Sequence, residues 1–209
     1  MLALDHLTVI APSLAEGVAH VRGCLGLEVP FGQRHLYMGT LNHLLQLGAG
    51  TYLEIVALDP EGAAPPRARW FGLDDQAAVR ADWQAGRRLR GWVARAELDQ
   101  LGQADVFGRK TALPWIDPTF DFAIPDDGSL PMGGALPSII DRRGKPRSMA
   151  TIADLGARLH SFSLQHPRAA ELARRYEALG IDRPPAIEQG SELRYRALID
   201  TPAGLRELW

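Results

Sequence analysis

The sequence has a single cysteine, no excess of basic residues and no long apolar run. Cys24 alone cannot form a disulfide within the chain, which excludes the cysteine-stapled scaffolds of small secreted proteins. The 23 Lys and Arg residues are outnumbered by 25 Asp and Glu residues, so the positive charge with which proteins neutralise nucleic-acid phosphates is missing. Apolar runs such as 52–58 fall short of the ~20 residues of a membrane helix. We therefore expect neither a nucleic acid nor a membrane as a partner.

Targeting signals and common nucleotide motifs are also missing. The first ten residues, MLALDHLTVI, contain no basic segment and are interrupted by Asp5, so no signal peptide is predicted. Gly48 and Gly50 lack the third glycine of a dinucleotide fingerprint, and neither a P-loop nor a G-x-S-x-G elbow occurs. These absences favour a cytoplasmic protein of bacterial type.

An internal repeat links the two ends of the chain. Each copy begins with an alternating apolar run that carries a histidine, His6 or His160, and this alternation indicates a strand. A segment with helical periodicity follows in each copy. It ends at a glycine, Gly26 or Gly180, that lies 20 residues after the histidine, and glycine at this place is typical of a helix end.

The repeat continues to a glutamate in the last strand of each copy. Glu54 follows His6 by 48 residues, and Glu207 follows His160 by 47 residues. In each copy, two strand patterns flank a glycine-containing turn, and the glutamate lies in the second of them. Each copy is therefore predicted to be a βαβββ module.

The middle of the chain is predicted to hold a degenerate third module. There Trp92 stands in the place of the first-strand histidine, and the last strand offers Ser138 and Ile139 rather than a carboxylate at the place of the glutamate. We predict one domain over 1–209 with modules of approximately 1–60, 90–143 and 157–209. The segment 141–150 is expected to be an exposed connection.

Four potential metal ligands stand at equivalent places in the two intact copies: His6, Glu54, His160 and Glu207. If two copies face each other, these side chains reach one cavity. Two imidazoles and two carboxylates suit a divalent ion such as Zn, Ni, Mn or Fe, with Glu54 or Glu207 as a catalytic base. The alternative for His6 and Glu54 is a buried structural pair. The alternative for His160 and Glu207 is a relic of duplication.

Polar residues near the second and third strands are candidates for substrate binding. Arg34, His35 and Asn42 cluster there. Arg34 is suited to bind a substrate carboxylate, or it is a solvated loop residue. Asn42 either contacts substrate or braces a strand.

Aromatic residues are concentrated in the middle of the chain. Such side chains either line a pocket for an apolar ligand or belong to the core, and the core is the expected place for most of them. The residues concerned are Trp70, Phe71, Trp83, Trp92, Trp115, Phe120 and Phe122.

Three short motifs carry a family resemblance. They are Asp5-His6, the G-T-x-N sequence at 39–42, and the GTYLEI sequence at 50–55. Together they resemble the glyoxalase-like domains of the vicinal-oxygen-chelate superfamily, most closely over residues 1–59. The resemblance implies an α+β fold in which βαβββ modules form curved mixed, mainly antiparallel sheets around a cleft.

The resemblance also implies a function and a ligand set. His6, Glu54, His160 and Glu207 would be the metal ligands, in the order similar to that of bacterial-type glyoxalase I. The implied activity is a metal-dependent lyase, isomerase or dioxygenase that acts on a small vicinal-oxygen substrate. The alternative is a metal-free protein of the same fold that sequesters a hydrophobic or antibiotic-like small molecule. A homodimer is also expected.

Overall fold

The computed structural model of the protein describes residues 2–113, 120–145 and 147–209; Trp115 lies outside them. The strands are β1 (Leu2–Ile10), β2 (Phe31–His35), β3 (Thr40–Gln46), β4 (Tyr52–Leu58), β5 (Leu89–Arg95), β6 (Arg109–Ala112), β7 (Asp121–Ile124), β8 (Ser138–Asp141), β9 (Arg158–His166), β10 (Ile181–Asp182), β11 (Ala186–Gln189), β12 (Arg194–Thr201) and β13 (Gly204–Leu208). The helices are α1 (Leu14–Leu25), α2 (Gln76–Gln84), α3 (Leu98–Leu101), α4 (Ala104–Phe107) and α5 (Ala169–Ala178).

Within the described residues, most strands form one curved mixed sheet. Its order is β2-β3-β4-β1-β5-β8-β7-β6, and the short β10 pairs with β1. The central pair, β1 and β5, is antiparallel, while β1 is parallel to β4 and β5 is parallel to β8. Outward from the centre, one half of the sheet has the order β1, β4, β3, β2, and the other half has the order β5, β8, β7, β6. The two halves therefore place the four strands of a module in the same order. This arrangement confirms the predicted α+β fold of repeated modules around a cleft.

The C-terminal strands form a second sheet with a different order. This sheet reads β11-β9-β12-β13. β12 therefore separates β9 from β13, whereas β1 lies directly beside β4 in the main sheet. The sequence repeat thus produces two different arrangements of strands. The boundaries of the three modules remain a prediction.

Helix α1 begins and ends where the sequence indicates. The Ser13 hydroxyl accepts a hydrogen bond from the Glu16 amide, which satisfies one of the free N–H groups of the first turn. At the other end, Gly26 adopts a left-handed conformation with φ of 69°, which glycine tolerates without strain. Val21 and Leu25 are fully buried on the inner face, so the helix packs against the main sheet.

Two apolar clusters cover the two faces of the main sheet. One contains Leu7, Ile55 and Trp92 and packs against the C-terminal sheet and helices. The other contains Val93 and Phe122 and surrounds the cleft. Trp92, predicted to take the place of the first-strand histidine, pairs with Leu7 and faces the first cluster. The residue that pairs with His6 is Val93. None of the helices in the described ranges combines the length and apolarity required to span a bilayer.

Candidate functional site

The cleft of the main sheet has a polar floor and an apolar wall. The apolar lining consists of Leu44, Trp70, Phe71, Phe120, Phe122 and Ile140. The polar lining consists of His6, Gln33, His35, Asn42, Tyr52, Glu54, Arg142 and Arg147. Ligand sites in proteins combine these two kinds of surface in the same way.

His6 and Glu54 meet because β1 and β4 are neighbours. In the parallel register His6 pairs with Tyr52, and Glu54 lies two residues beyond Tyr52, on the same face of the strand. His6 Nε2 lies 3.3 Å from Glu54 Oε2. The two atoms are not aligned as a hydrogen bond, and His6 Nε2 has no other partner among the described residues. The His6 ring stacks on the Tyr52 ring at 4.5 Å.

A buried ion pair holds the other side of the His6 ring. Asp5 Oδ1 lies 2.8 Å from His6 Nδ1, and Arg142 donates to both Asp5 oxygens at 2.9 and 2.7 Å. Arg142 also donates to the Tyr52 hydroxyl at 3.0 Å. Because Asp5 orients Nδ1, the Nε2 atom of His6 is directed towards Glu54.

Electrostatics favours the charged forms of this pair. Burial opposes the charge on His6, but the hydrogen bond to Asp5 and the charge of Glu54 raise its pKa above the ordinary value. Burial likewise acts to raise the pKa of Glu54, but His6, His35 and the Asn42 amide lower it to about 2. The contacts of this pair thus favour a buried imidazolium beside a carboxylate.

Asn42 braces the floor of the cleft. Its side-chain nitrogen donates to Glu54 Oε1 at 2.7 Å and lies 3.3 Å from His35 Nε2, and its Oδ1 atom accepts from the backbone N–H of Gln33 at 2.9 Å. His35 Nδ1 lies 2.8 Å from the Thr40 hydroxyl. Burial lowers the pKa of His35 to about 4, so its ring is neutral near pH 7. His35 and Asn42, predicted to bind substrate, thus both line the cleft.

Arg34 lies outside this arrangement. It stands between Gln33 and His35 on β2, and alternate residues of a strand point to opposite faces. The Arg34 side chain is half-exposed and pairs with Asp59 at 3.0 Å and Glu61 at 3.3 Å. The structure therefore does not bring Arg34 to the cleft, although it does bring the two neighbouring residues there.

His160 and Glu207 are not brought to His6 and Glu54. His160 lies on β9 and pairs with Asp200 at 3.2 Å, and its side chain is 56% exposed. Glu207 lies on β13 and pairs with Arg196 at 2.7 Å, with a side chain 43% exposed. Both partners belong to β12, the strand that separates β9 from β13. The inserted strand is the physical reason why the repeat does not reproduce the His6–Glu54 contact.

The donor set of the cleft does not fit a four-ligand metal site. His6 Nε2 and Glu54 Oε2 are suitable donors, but the opposite half of the sheet presents the apolar Val93 and Ile140. No group of three or more His, Cys, Asp or Glu residues able to hold a metal ion occurs within the described ranges. Two protein ligands are fewer than the three or four of ordinary zinc sites.

The sequence interpretation missed both arginines of the cleft. Arg142 and Arg147 belong to the segment 141–150, which was expected to be an exposed connection. Arg142 is buried, and Arg147 is half-buried, with its guanidinium 5.2 Å from the centre of the Tyr52 ring. The basic character of this segment was the available signal. Phe120 and Phe122, expected in the core, line the cleft as well.

Comparisons with known proteins place this arrangement in a family. Residues 4–180 match the family described as "Glyoxalase-like domain". No curated protein matches the chain. A hypothetical protein from Staphylococcus aureus has a similar solved structure, with 11% identity and a TM-score of 0.58 over 93% of this chain and 88% of that one. This similarity shows a shared fold.

Methylmalonyl-CoA epimerases are also among the similar structures. The enzyme from Mycobacterium tuberculosis has 19% identity and a TM-score of 0.38, over 66% of this chain and 86% of that one. The Streptomyces coelicolor enzyme in complex with 2-nitronate-propionyl-CoA has 16% identity and a TM-score of 0.38, over 71% of this chain and 100% of that one. On the family match over most of its length, the chain belongs to the glyoxalase-like domain family.

Proposed function

We propose that this protein binds a small organic molecule in the cleft without a metal ion. One observation carries the proposal: a buried polar floor, His6 with Glu54 and Asn42, faces a wall of aromatic side chains. Such a cleft holds an apolar ring or chain by burial and orients a polar end by hydrogen bonds. Within the part of the chain that the structure describes, the metal donor set of the cleft is incomplete, which favours this function over a metal-dependent lyase, isomerase or dioxygenase.

The electrostatics of Glu54 also favours binding over proton transfer. A general base works best when its pKa lies near the working pH. Since the pKa of Glu54 is lowered to about 2, its carboxylate is a weak base. Its better-supported role is to hold His6 and Asn42 in place as hydrogen-bonding groups for the ligand.

The repeat supplies a matched pair of variants for the test. Glu54→Gln and Glu207→Gln make the same substitution at equivalent places, one inside the cleft and one exposed on the second sheet. We would screen aromatic and aliphatic fragments by ligand-observed NMR and measure Kd for the binders by calorimetry. Glu54→Gln is expected to weaken binding, and Glu207→Gln is expected to leave it unchanged. Equal effects of the two substitutions would place the ligand elsewhere and contradict the proposal.

Metal content tests the other half of the proposal. Protein purified without an affinity tag and incubated with Ni, Zn, Mn or Fe(II) is expected to hold no stoichiometric metal by elemental mass spectrometry. One ion per chain, lost in His6→Ala but kept in His160→Ala, would overturn the metal-free reading. A cytoplasmic location and a homodimer remain predictions.

A further inference from the structure

The charge of the cleft is not balanced. Asp5 compensates Arg142 through two hydrogen bonds. Glu54 compensates His6, whose ring lies between the Asp5 and Glu54 carboxylates at 2.8 and 3.3 Å. Among the described residues that line the cleft, Arg147 is left as the cation without an acidic partner.

The surroundings of Arg147 are unusual for a solvated arginine. Its Nε atom is buried and has no hydrogen-bond partner among the described residues. The guanidinium lies 5.2 Å from the centre of the Tyr52 ring, and the same ring stacks on His6. An N–H donor without a partner in a buried place is costly, and an anion bound beside this guanidinium in the cleft would supply the partner.

The geometry points to an aromatic carboxylate as the ligand, with Arg147 as the residue that selects it. This inference rests on the proposed binding function and names the class of ligand. A single uncompensated positive charge matches a monoanion, and the planar guanidinium matches the two oxygens of a carboxylate. A phosphate monoester carries up to about −2 charge and would leave the cleft negative.

The apolar wall selects the rest of the ligand. Trp70, Phe71 and Phe122 contact one another with ring centroids 5.5–5.7 Å apart. Together they present aromatic faces and edges, on which a planar ring packs favourably. The ring of the ligand would lie against these side chains, while its carboxylate would be directed towards Arg147.

Matched pairs of fragments test the inference. We would measure Kd by calorimetry for benzoate and benzamide, for phenylacetate and phenylacetamide, and for 2-naphthoate and 2-naphthamide. The members of a pair differ in charge but hardly in shape. The acid is expected to bind at least about tenfold more tightly than its amide, because a charge-assisted hydrogen bond is stronger than a neutral one.

Two variants in one loop test whether Arg147 causes the preference for the acid. Arg147→Gln is expected to abolish it and to leave the Kd of the amide unchanged, which also shows that the variant is folded. Lys145→Gln removes the same charge from an exposed neighbour that does not line the cleft, and it is expected to keep the preference.

The outcomes separate this inference from the proposed function. Amides that bind as tightly as the acids, a preference that survives in Arg147→Gln, or tighter binding of phenyl phosphate than of benzoate would overturn the inference alone. If no member of any pair binds the wild-type protein and the wider fragment screen also finds no ligand, both fail.

Discussion

The ion pair between Asp5 and Arg142 is expected to be a major source of stability. Both side chains are buried, with 2% and 8% exposure, and Arg142 makes two charge-assisted hydrogen bonds to the carboxylate. Each such bond contributes about 1.5–3 kcal/mol, and removal of one partner from a buried pair costs about 3–5 kcal/mol. We therefore expect Arg142→Met to lower the free energy of unfolding by about 3–5 kcal/mol.

Urea denaturation followed by tryptophan fluorescence measures this loss. The next residue supplies the control, because Arg143 also makes two bonds to one carboxylate, that of Asp121, at 3.0 and 2.7 Å. The Arg143 side chain is 47% exposed, and Lys110 lies 3.7 Å from the same Asp121. Asp121 is itself buried, with 3% exposure, so the two pairs differ in the exposure of the arginine and in the presence of a second cation. Arg143→Met is expected to cost less than Arg142→Met, because the half-exposed guanidinium is screened by solvent and Lys110 remains near the carboxylate.

A double-mutant cycle completes this test. The double variant Asp5→Asn with Arg142→Met is expected to lose less stability than the sum of the two single variants, since no unpaired charge is left buried. Additive losses, or a loss in Arg142→Met no larger than that in Arg143→Met, would refute the reasoning that burial makes this pair strong.

Further predictions concern His35 and the glycines before β6. The folded pKa of His35, about 4, lies below its ordinary 6.5, so its contribution to stability is present above pH 6.5 and is lost as the pH falls through 4. Urea denaturation over this range should give an acid-dependent loss of about 3 kcal/mol that is absent in His35→Gln; an unchanged pH profile would contradict it. Gly108→Ala would bring a Cβ to 2.0 Å from the backbone carbonyl carbon of Ile124, whereas a Cβ at Gly102 would meet no atom within 4 Å. Both positions have positive φ, so Gly102→Ala should lower the free energy of unfolding by about 1 kcal/mol, and Gly108→Ala should lower it by more, as measured by thermal unfolding. Equal losses in the two variants would show that the contact with Ile124 is relieved at little cost.

Much of the fold was predictable because it depends on local patterns. Alternation, capping residues and terminal glycines act over a few residues, so α1 appears between Ser13 and Gly26 as expected. The contact between His6 and Glu54 was also predictable. It follows from two strands of one module, β1 and β4, that lie side by side.

The composition of the cleft was only partly predictable. Strand alternation alone separates Arg34 from His35, since neighbouring residues on a strand face opposite sides. The residues 142 and 147 lie far along the chain from β1, and no local pattern indicates that a basic connection will fold back over Tyr52. Which loop covers a cleft depends on the packing of the whole sheet.

The sequence by itself determined the element types, the repeat and the pair of His6 and Glu54, because these depend on periodicity and on neighbouring strands. Only the tertiary structure decided what lies beside each strand. It put β5 with Val93 next to His6, and it put β12 between β9 and β13. The order of the strands depends on which apolar faces are buried against each other, and these faces are far apart in the chain. The two copies of the repeat therefore have different neighbouring strands.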